Sequence, residues 1–377
     1  MRRIGIMIMI LLAGYGLYAQ NFENLSFGTD STLDIMTWNI EWFPKNINTT
    51  PAHVSSIIES LDPDIIAVQE IDSTEIFEAM INSMPDYEYS IYSSYFMGLA
   101  YIYKTETITP QSIYEIYTEY DYWNIFPRSP LVMEFTYKGM PFTILNNHLK
   151  CCGDGSIDMG NTNDEEYRRY QATELLKTWL DDEKPDMNVI MLGDFNDMLT
   201  DEPSNNVFQA FIDDADNYEF TDMAIEEGNN DNWSYPTWPS HLDHILISDE
   251  LFDIHSSSGS GTSTIFVDNA YSSYYHYDES VTDHRPVGIK LKPAYNTKQD
   301  VTERPVSLYP NPATDKIFIE GAKNASICII NTSGQCVTQI HSRSEKTEID
   351  ISALSPGVYG LVVDDSQKIY RQKIIKY

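Results

Sequence analysis

Six short polar clusters recur at the ends of apolar runs in this chain of 377 residues. They are Asn39-Ile40-Glu41 after IMTW, Gln69-Glu70 after DIIAV, Asn146-Asn147-His148 after FTIL, Gly193-Asp194-Phe195-Asn196 after VIML, Asp243 before HILI, and Asp283-His284 before RPVGI. A single Asp or Asn at a strand end is ordinarily a turn or cap residue. Repetition at successive strand ends changes the reading, because loops at one edge of a sheet can bring such clusters together. Jointly they supply hard oxygen ligands suited to Mg²⁺ or Mn²⁺, and imidazoles and amides able to donate to phosphate oxygens. Phosphoester hydrolysis builds negative charge on the phosphoryl oxygens and the leaving group, and such a set offsets it. No HExxH, CxxC or regular Cys/His spacing occurs, which argues against a structural zinc site.

Positioning these clusters requires strands. The apolar, β-branched runs predict strands at Leu33–Trp38, Ile65–Val68, Gly98–Tyr103, Leu131–Tyr137, Phe142–Asn147, Val189–Leu192, His244–Ile247 and Val287–Leu291. Most lie too close together for crossover helices, so antiparallel or mixed pairing is expected. Two helices are expected as well. Thr50 reads as the cap of one, with Pro51 at its first position and Val54, Ile57, Ile58 and Leu61 on its stripe. The other begins near Asp164-Glu165-Glu166, acids at its positive end, with Ala172, Leu175, Leu176, Trp179 and Leu180 on one face. Ser256–Thr264 (SSSGSGTST) reads as a flexible loop, followed by Tyr271, Tyr274, Tyr275 and Tyr277 as a partly packed surface loop or an aromatic platform.

The motifs WNIEWFP, VQEI, NNHLK, LGDFND, LDHI and TDHRPV, in this order over roughly 32–292, resemble those of the endonuclease/exonuclease/phosphatase superfamily. That resemblance implies an α/β (α+β-like) four-layered sandwich, two mixed β-sheets flanked by helices. It implies a metal site of Glu70, Asn39 and Asp283 for Mg²⁺, with Mn²⁺ as an alternative. Asp194, Asn196, His284, Asp243 and His148 are the implied catalytic residues. Asp194 would accept a proton from the attacking water or orient it, and Asn196 would hold that water or a phosphate oxygen. His284, oriented by Asp243, would stabilise or protonate the phosphoryl oxygens or serve as general base, and His148 would contact the scissile phosphate. Arg128, in FPRSPLVMEF, and Asn146 are the implied phosphate-binding residues. His244 stands where many relatives carry an aromatic residue, and His241 where a basic residue is common.

The C-terminal segment resembles a second family. LYPNPATDKIFIEG, INTSGQCV and SPGVYGLVV, over about 307–377, are similar to the type A C-terminal sorting domain of the type IX secretion system. A small all-β sandwich with strands near Lys316–Glu320, Ser326–Ile330, Val337–Ile340, Tyr359–Val363 and Ile369–Ile375 is expected there. Arg2 and Arg3, the apolar run Ile4–Ala13 and a small-residue site ending at Ala19 read as a secretory signal. The expected organisation is therefore a signal peptide at 1–19, a catalytic domain at 20–293, a linker at 294–305 and a sorting domain at 306–377. No transmembrane segment is expected, and the sequence sets no oligomeric state. In an oxidising space Cys151 and Cys152 are expected to form a vicinal disulfide that stiffens their loop, while Cys328 and Cys336 are placed to bridge across a hairpin.

Charge limits the substrate. The net charge is −33, and residues 20–304 hold 14 basic against 50 acidic residues, a balance of −36. Counterion release by a basic surface is thereby excluded as the main source of polyanion binding, so bound cations must help. The leading expectation is a secreted, divalent-metal-dependent phosphodiesterase, a nuclease on extracellular DNA or RNA, with the type IX machinery as its export partner. The alternatives are a sphingomyelinase-like phospholipid phosphodiesterase, an inositol or sugar phosphate phosphatase, and a non-catalytic surface-binding protein on the same scaffold.

Overall fold

The structure, a computed structural model, describes residues 22–92, 97–293, 306–331, 336–364 and 369–377. The expected signal peptide at 1–19 and the linker at 294–305 lie outside these. The chain divides into two compact units, Met1–Ala294 and Tyr295–Tyr377.

In chain order the first unit runs β1 (Leu33–Phe43), α1 (Thr50–Leu61), β2 (Ile65–Ile71), α2 (Thr74–Ile81), β3 (Tyr87–Tyr92), β4 (Gly98–Lys104), β5 (Pro110–Glu115), β6 (Leu131–Tyr137) and β7 (Met140–His148). It continues with α3 (Glu165–Glu183), β8 (Asn188–Asp194), α4 (Gln209–Ile212), β9 (Tyr218–Phe220), α5 (Met223–Glu226), β10 (Asp243–Ser248), α6 (Phe252–His255), β11 (Gly261–Thr264), α7 (Tyr274–Ser280) and β12 (Val287–Leu291). Two six-stranded sheets result, in the orders β11-β12-β1-β2-β4-β3 and β5-β6-β7-β8-β10-β9. Each is mixed, since β1 and β2 run parallel, as do β7 and β8, among antiparallel neighbours.

Alternation along each strand divides the core into layers. Leu33, Ile35, Ile65, Ala67, Ile144 and Leu192 fill the space between the sheets. Met36, Trp38, Ile66 and Val68 face the other way, onto Val54, Ile57 and Ile58 of α1 and Phe77 of α2. Beneath the second sheet, Leu145, Val189 and Met191 pack on Ala172, Leu176 and Leu180 of α3. The four layers are thus helices, sheet, sheet, helices, the arrangement implied by the sequence motifs.

Three local expectations are corrected. Thr50 does not cap α1; it lies inside the first turn, where its hydroxyl accepts from Asn46 N and donates to Ser280 O. Part of Ser256–Thr264 is strand rather than loop, because Gly261–Thr264 extends the first sheet by pairing with β12. An edge strand needs only backbone partners on one side, which a Ser/Thr/Gly segment supplies without apolar periodicity. Of the tyrosines, Tyr271 and Tyr277 are buried in the first-sheet core and Tyr275 is exposed, so they do not form a single platform. At α3, which begins where its run of acids placed it, the Asp164 side chain accepts from Tyr167 N and caps the helix.

The second unit is all-β. A three-stranded sheet of β13 (Ser307–Tyr309), β14 (Lys316–Glu320) and β17 (Lys346–Asp350) accompanies a four-stranded sheet ordered β16 (Cys336–His341), β15 (Ser326–Ile330), β18 (Gly357–Asp364), β19 (Ile369–Lys376). Every pairing is antiparallel, and Ile317, Ile319, Ile327, Ile329, Ile349 and Leu361 form its core. Cys328 and Cys336 are disulfide-bonded between β15 and β16. No helix among the described residues is long and apolar enough to cross a membrane.

Candidate active site

The parallel strands of both sheets end at one place. His148, the last residue of β7, is the ladder partner of Asp194, the last of β8, and Asp194 in turn faces Asp243, the first of β10. In the other sheet Asn39 of β1 pairs with Gln69 of β2, and both strands carry bulges just beyond, between Asn39 and Phe43 and between Val68 and Ile71. Bulges re-aim side chains beside functional sites. Here Glu41, Trp42 and Glu70 adopt φ of 31°, 47° and 65°, and Asn196 one of 57°. Such left-handed backbone is costly for residues other than glycine and persists only where the surroundings impose it. Gly193 is obligatory for a different reason: a Cβ on it would lie 1.9 Å from Asn147 O.

One amide joins the sheets at this point. Asn39 Nδ2 donates to Glu70 Oε1 at 3.2 Å and to Asp194 Oδ2 at 2.9 Å, while its Oδ1 accepts from Glu41 N at 3.0 Å. The other Glu70 oxygen accepts from Trp42 N at 3.1 Å. His148 Nε2 lies 3.4 Å from Asp194 Oδ2 and 3.8 Å from Glu70 Oε1, and its Nδ1 is buried without a partner. Two carboxylates and an imidazole nitrogen therefore converge within 4.8 Å of one another. A buried acid, Asp194, and a half-buried one, Glu70, share that amide, and with the imidazole nitrogen this donor set fits a divalent cation.

His284 stands across Asp194. Its Nδ1 is 2.7 Å from Asp243 Oδ2, and its Nε2 is 3.9 Å from Asp194 Oδ2 and 3.8 Å from Asp283 Oδ1. Burial opposes charge on this imidazole, but Asp243, Asp194 and Asp283 outweigh it and hold its pKa well above the ordinary histidine value. His148 is the opposite case: burial, then Arg128 and His284, push it well below, so it is a neutral imidazole. Burial also drives Asp194 up to about 7, against the pull of His284. Tyr235 packs its ring 4.9 Å from that of His284, and Tyr277 donates to His284 O at 2.6 Å. Arg128 is nine-tenths buried; burial lowers its pKa while Glu70 and Asp194 raise it, which puts its charge near both carboxylates.

Asn196 is held by Asp194, whose Oδ1 accepts from Asn196 N, and its own Nδ2 donates to Leu149 O. Asp283 is set slightly apart. Its backbone N donates to Glu41 Oε2 and its carbonyl accepts from Tyr274, while Lys45 bridges Glu41 and Asp278. Asn146 is not at the mouth. Its Nδ2 donates to Val68 O and Ala100 O and its Oδ1 accepts from Gln69 Nε2 at 2.7 Å, so every polar atom is spent tying the two sheets together. Asn146 thus has no donor left for a phosphate. The sequence assigned no role to Glu41, Lys45, Gln69 or Tyr235, although Glu41 and Gln69 stand within the polar clusters at the ends of β1 and β2.

Matched against known families, residues 36–284 fit the "Endonuclease/Exonuclease/phosphatase family" and residues 307–377 the "Secretion system C-terminal sorting domain". The chain belongs to the endonuclease/exonuclease/phosphatase family. It is accordingly a metal-dependent phosphoesterase, and its sorting tail marks it for export through type IX secretion. No curated protein matches the sequence. Among solved structures it is similar in fold to D. rerio TDP2 complexed with a single-strand DNA product (13% identity, TM-score 0.49, 69% of this chain and 99% of that one). The human Nocturnin catalytic domain is similar at 15% identity, TM-score 0.47, over 70% of this chain and 95% of that one. A mannosyl-6-phosphatase of Bacteroides thetaiotaomicron gives 16% identity, TM-score 0.47, over 69% and 99%.

Behind β10 lies a second polar group, also unassigned from sequence. Asp222 Oδ2 is 2.6 Å from His244 Nδ1 and 3.1 Å from His241 Nε2, all three fully buried, and Asp222 Oδ1 accepts from Ile245 N. Burial opposes the charge on His244, but Asp222 prevails and raises it to about 9. A histidine raised above its unfolded value of 6.5 stabilises the fold fully below that pH and loses the contribution as pH passes about 9. Thermal denaturation against pH is therefore expected to show Tm falling between neutrality and about pH 10, and falling less steeply in Asp222→Asn.

The cysteine expectation for the nearby insertion is corrected. Cys151 and Cys152 are free, with Cys152 Sγ 2.9 Å from Cys151 Sγ, well beyond the ~2.05 Å of a disulfide. The loop is instead anchored by Arg169, whose Nη1 donates to Lys150 O at 2.6 Å and Cys152 O at 2.7 Å.

Proposed function

We propose that the chain is an exported, Mg²⁺-dependent phosphodiesterase that hydrolyses nucleic acid. The observation that carries this is the convergence of Glu70, Asp194, His148, His284 and Asp243 around the Asn39 amide at the junction of the two sheets. Glu70 would hold the cation, with Asn39 fixing its carboxylate and Asp283 beside His284. When bound, the ion would supply Lewis-acid stabilisation of phosphoryl charge.

The remaining steps belong to side chains. Asp194, its pKa raised toward neutrality, takes the proton of the attacking water as the new P–O bond forms. Asn196 positions that water or a phosphoryl oxygen. As the ester P–O bond breaks, the departing oxygen leaves with the electron pair and takes a proton from solvent. The positively charged His284 donates a hydrogen bond to the phosphoryl oxygens at that step, which makes it a donor rather than the base. Its tautomer and charge are kept by Asp243. Neutral His148 donates to a second phosphoryl oxygen, and Arg128 clamps the phosphate. The exposed rings of Trp42 and Trp238, 62% and 79% accessible, offer faces for base stacking on loops that reach this cluster. With so acidic a surface, substrate binding depends on the divalent ion.

Incubating the full chain with plasmid DNA and RNA in Mg²⁺, Mn²⁺ or EDTA tests the proposal. Cleavage with either metal, none in EDTA, and a loss of at least about 10³-fold in Asp194→Asn are expected. Turnover of phosphomonoesters or sphingomyelin with intact nucleic acid would establish the rival substrate classes instead. Activity unchanged in Asp194→Asn would remove the assignment of this site.

A further inference from the structure

Exposed aromatic side chains stand on three loops at the catalytic ends of the strands. Trp42 follows Asn39 at the end of β1, Trp238 precedes β10, and Tyr120 and Trp123 lie between β5 and β6. That last connection belongs to the catalytic end, because Leu131, the first residue of β6, pairs with Asn146, two residues short of His148. Tyr120 and Trp123 have no part in the cluster described above. They are 76% and 63% exposed, with ring centroids 5.0 Å apart.

The loop that carries them is firmly built. Its ends are closed by Ile116 N donating to Pro130 O at 3.1 Å. Within it, Tyr117 packs on Tyr122 and stacks on Phe126, with ring centroids 4.8 and 5.2 Å away, and its hydroxyl donates to Leu175 O of α3 at 2.8 Å. Phe126 is buried in the core beneath the second sheet. Asn124 Nδ2 donates to Thr162 O at 2.6 Å, and its carbonyl accepts from Arg168 Nε. Three rings of the loop are thus spent on holding it in place. Tyr120 and Trp123 are the two left in water, and an adjacent pair of large rings there is unfavourable unless a partner covers it. Arg128 is on the same loop, five residues beyond Trp123 and at most about 18 Å from it along the chain. Phosphate clamp and exposed rings therefore share one support.

Charge narrows what can cover the rings. Glu119 and Asp121, both exposed, flank Tyr120, and no Lys or Arg occurs from Thr105 to Pro127. Such surroundings repel phosphates and anionic lipid headgroups alike, so they suit neither a duplex gripped by its backbone nor an anionic membrane. Stacking needs only a π-face, and every base offers one once it is unpaired.

We propose that Tyr120 and Trp123 form a stacking platform for unpaired bases a few nucleotides from the scissile phosphate, so that the enzyme selects single-stranded over duplex nucleic acid. The proposal rests on the nucleic-acid reading above and adds the strand form that this site takes. With Trp42 on the first sheet and this pair on the second, bases on either side of the scissile phosphate have a ring to lie on.

Fluorescence anisotropy tests it, with a labelled single-stranded oligonucleotide and a hairpin duplex of the same composition, in Mg²⁺, on the full chain carrying Asp194→Asn so that neither is cut. The single strand is expected to bind at least about tenfold more tightly than the hairpin. Adding Tyr120→Ala and Trp123→Ala should weaken single-strand binding about tenfold or more and leave the hairpin within about twofold. Trp123→Phe, which keeps a ring, should retain most of the affinity. With Asp194 intact, the Tyr120→Ala/Trp123→Ala variant should turn over an aryl phosphodiester like the wild type, since neither ring touches the catalytic cluster. Single-strand affinity unchanged by the double substitution overturns the platform and leaves the nucleic-acid reading standing. A wild type that neither binds nor cleaves nucleic acid overturns both. Loss of binding to phosphatidylcholine vesicles in the double variant, with oligonucleotide binding unaltered, would give the rings to a lipid surface and overturn the platform.

Discussion

Replacing His284 by glutamine should lower kcat by about 10³-fold, with KM changed little. Glutamine keeps a donor near the same place but carries no charge. The loss therefore measures what the imidazolium contributes as negative charge develops on the phosphoryl oxygens. Asp243→Asn probes the same group indirectly and has a sharper signature. Asp243 Oδ2, 2.7 Å from Nδ1, is the main partner that holds the imidazole charged against burial. In the wild type, kcat should rise through neutral pH as Asp194, raised to about 7, loses its proton, and fall again on the alkaline side as His284 loses its own. Without that carboxylate the limb should move down toward or below the ordinary histidine value of about 6.5. A kcat–pH profile on an aryl phosphodiester reads this directly. An unmoved alkaline limb in Asp243→Asn would assign the titration to another group and leave Asp243 only a packing role.

The largest loss of stability is expected from Arg169→Met. Arg169 is 2% exposed on α3; its Nε donates to Asp197 Oδ2 at 2.7 Å and its Nη2 lies 3.4 Å from Glu166 Oε1. It also carries the two backbone carbonyls of the 150–152 loop. Methionine fills much of the same volume but leaves two buried carboxylates without their cation. Breaking a buried pair from one side costs about 3–5 kcal/mol, on the order of 10 °C in Tm for a domain of this size. Adding Glu166→Gln and Asp197→Asn to that variant should restore part of the loss, because the penalty lies in the orphaned charges. Denaturant midpoints for the single and triple variants test this; an unchanged midpoint in the triple variant would locate the cost in packing.

How far the sequence could be read follows from what each residue's partners are. Strands such as Leu131–Tyr137 and Val287–Leu291 were legible to the residue, because short, mostly buried apolar runs bounded by turn residues need no distant information. Strands β3, β5, β9 and β11 were not, since edge strands expose polar side chains and take their identity from the neighbour they pair with. Among site residues, Glu70, Asp194, Asp243 and His284 announced themselves through motifs at strand ends. Asn146 shared such a motif yet turned inward, because the pleat sends Asn146 and His148 to one side of β7 and only the second reaches the open end. The roles of Glu41, Gln69, Arg169 and Asp222 became recognisable only in three dimensions, as each acts through a partner at least 22 residues away.

The left-handed backbone at Glu41, Trp42, Glu70 and Asn196 bears on how this enzyme can change. At each of these positions glycine would relieve strain in the chain, and none of the four relies on the apolar core to hold it there. Selection for heat tolerance alone, in the laboratory or in a warming habitat, would find these substitutions among its first rewards. It would thus erase the cation cradle and the stacking face before touching the sandwich beneath them, yielding a sturdy descendant with the family's shape and none of its chemistry. Any library built on this scaffold should hold these four positions fixed and look for robustness in the loops between the outer strands.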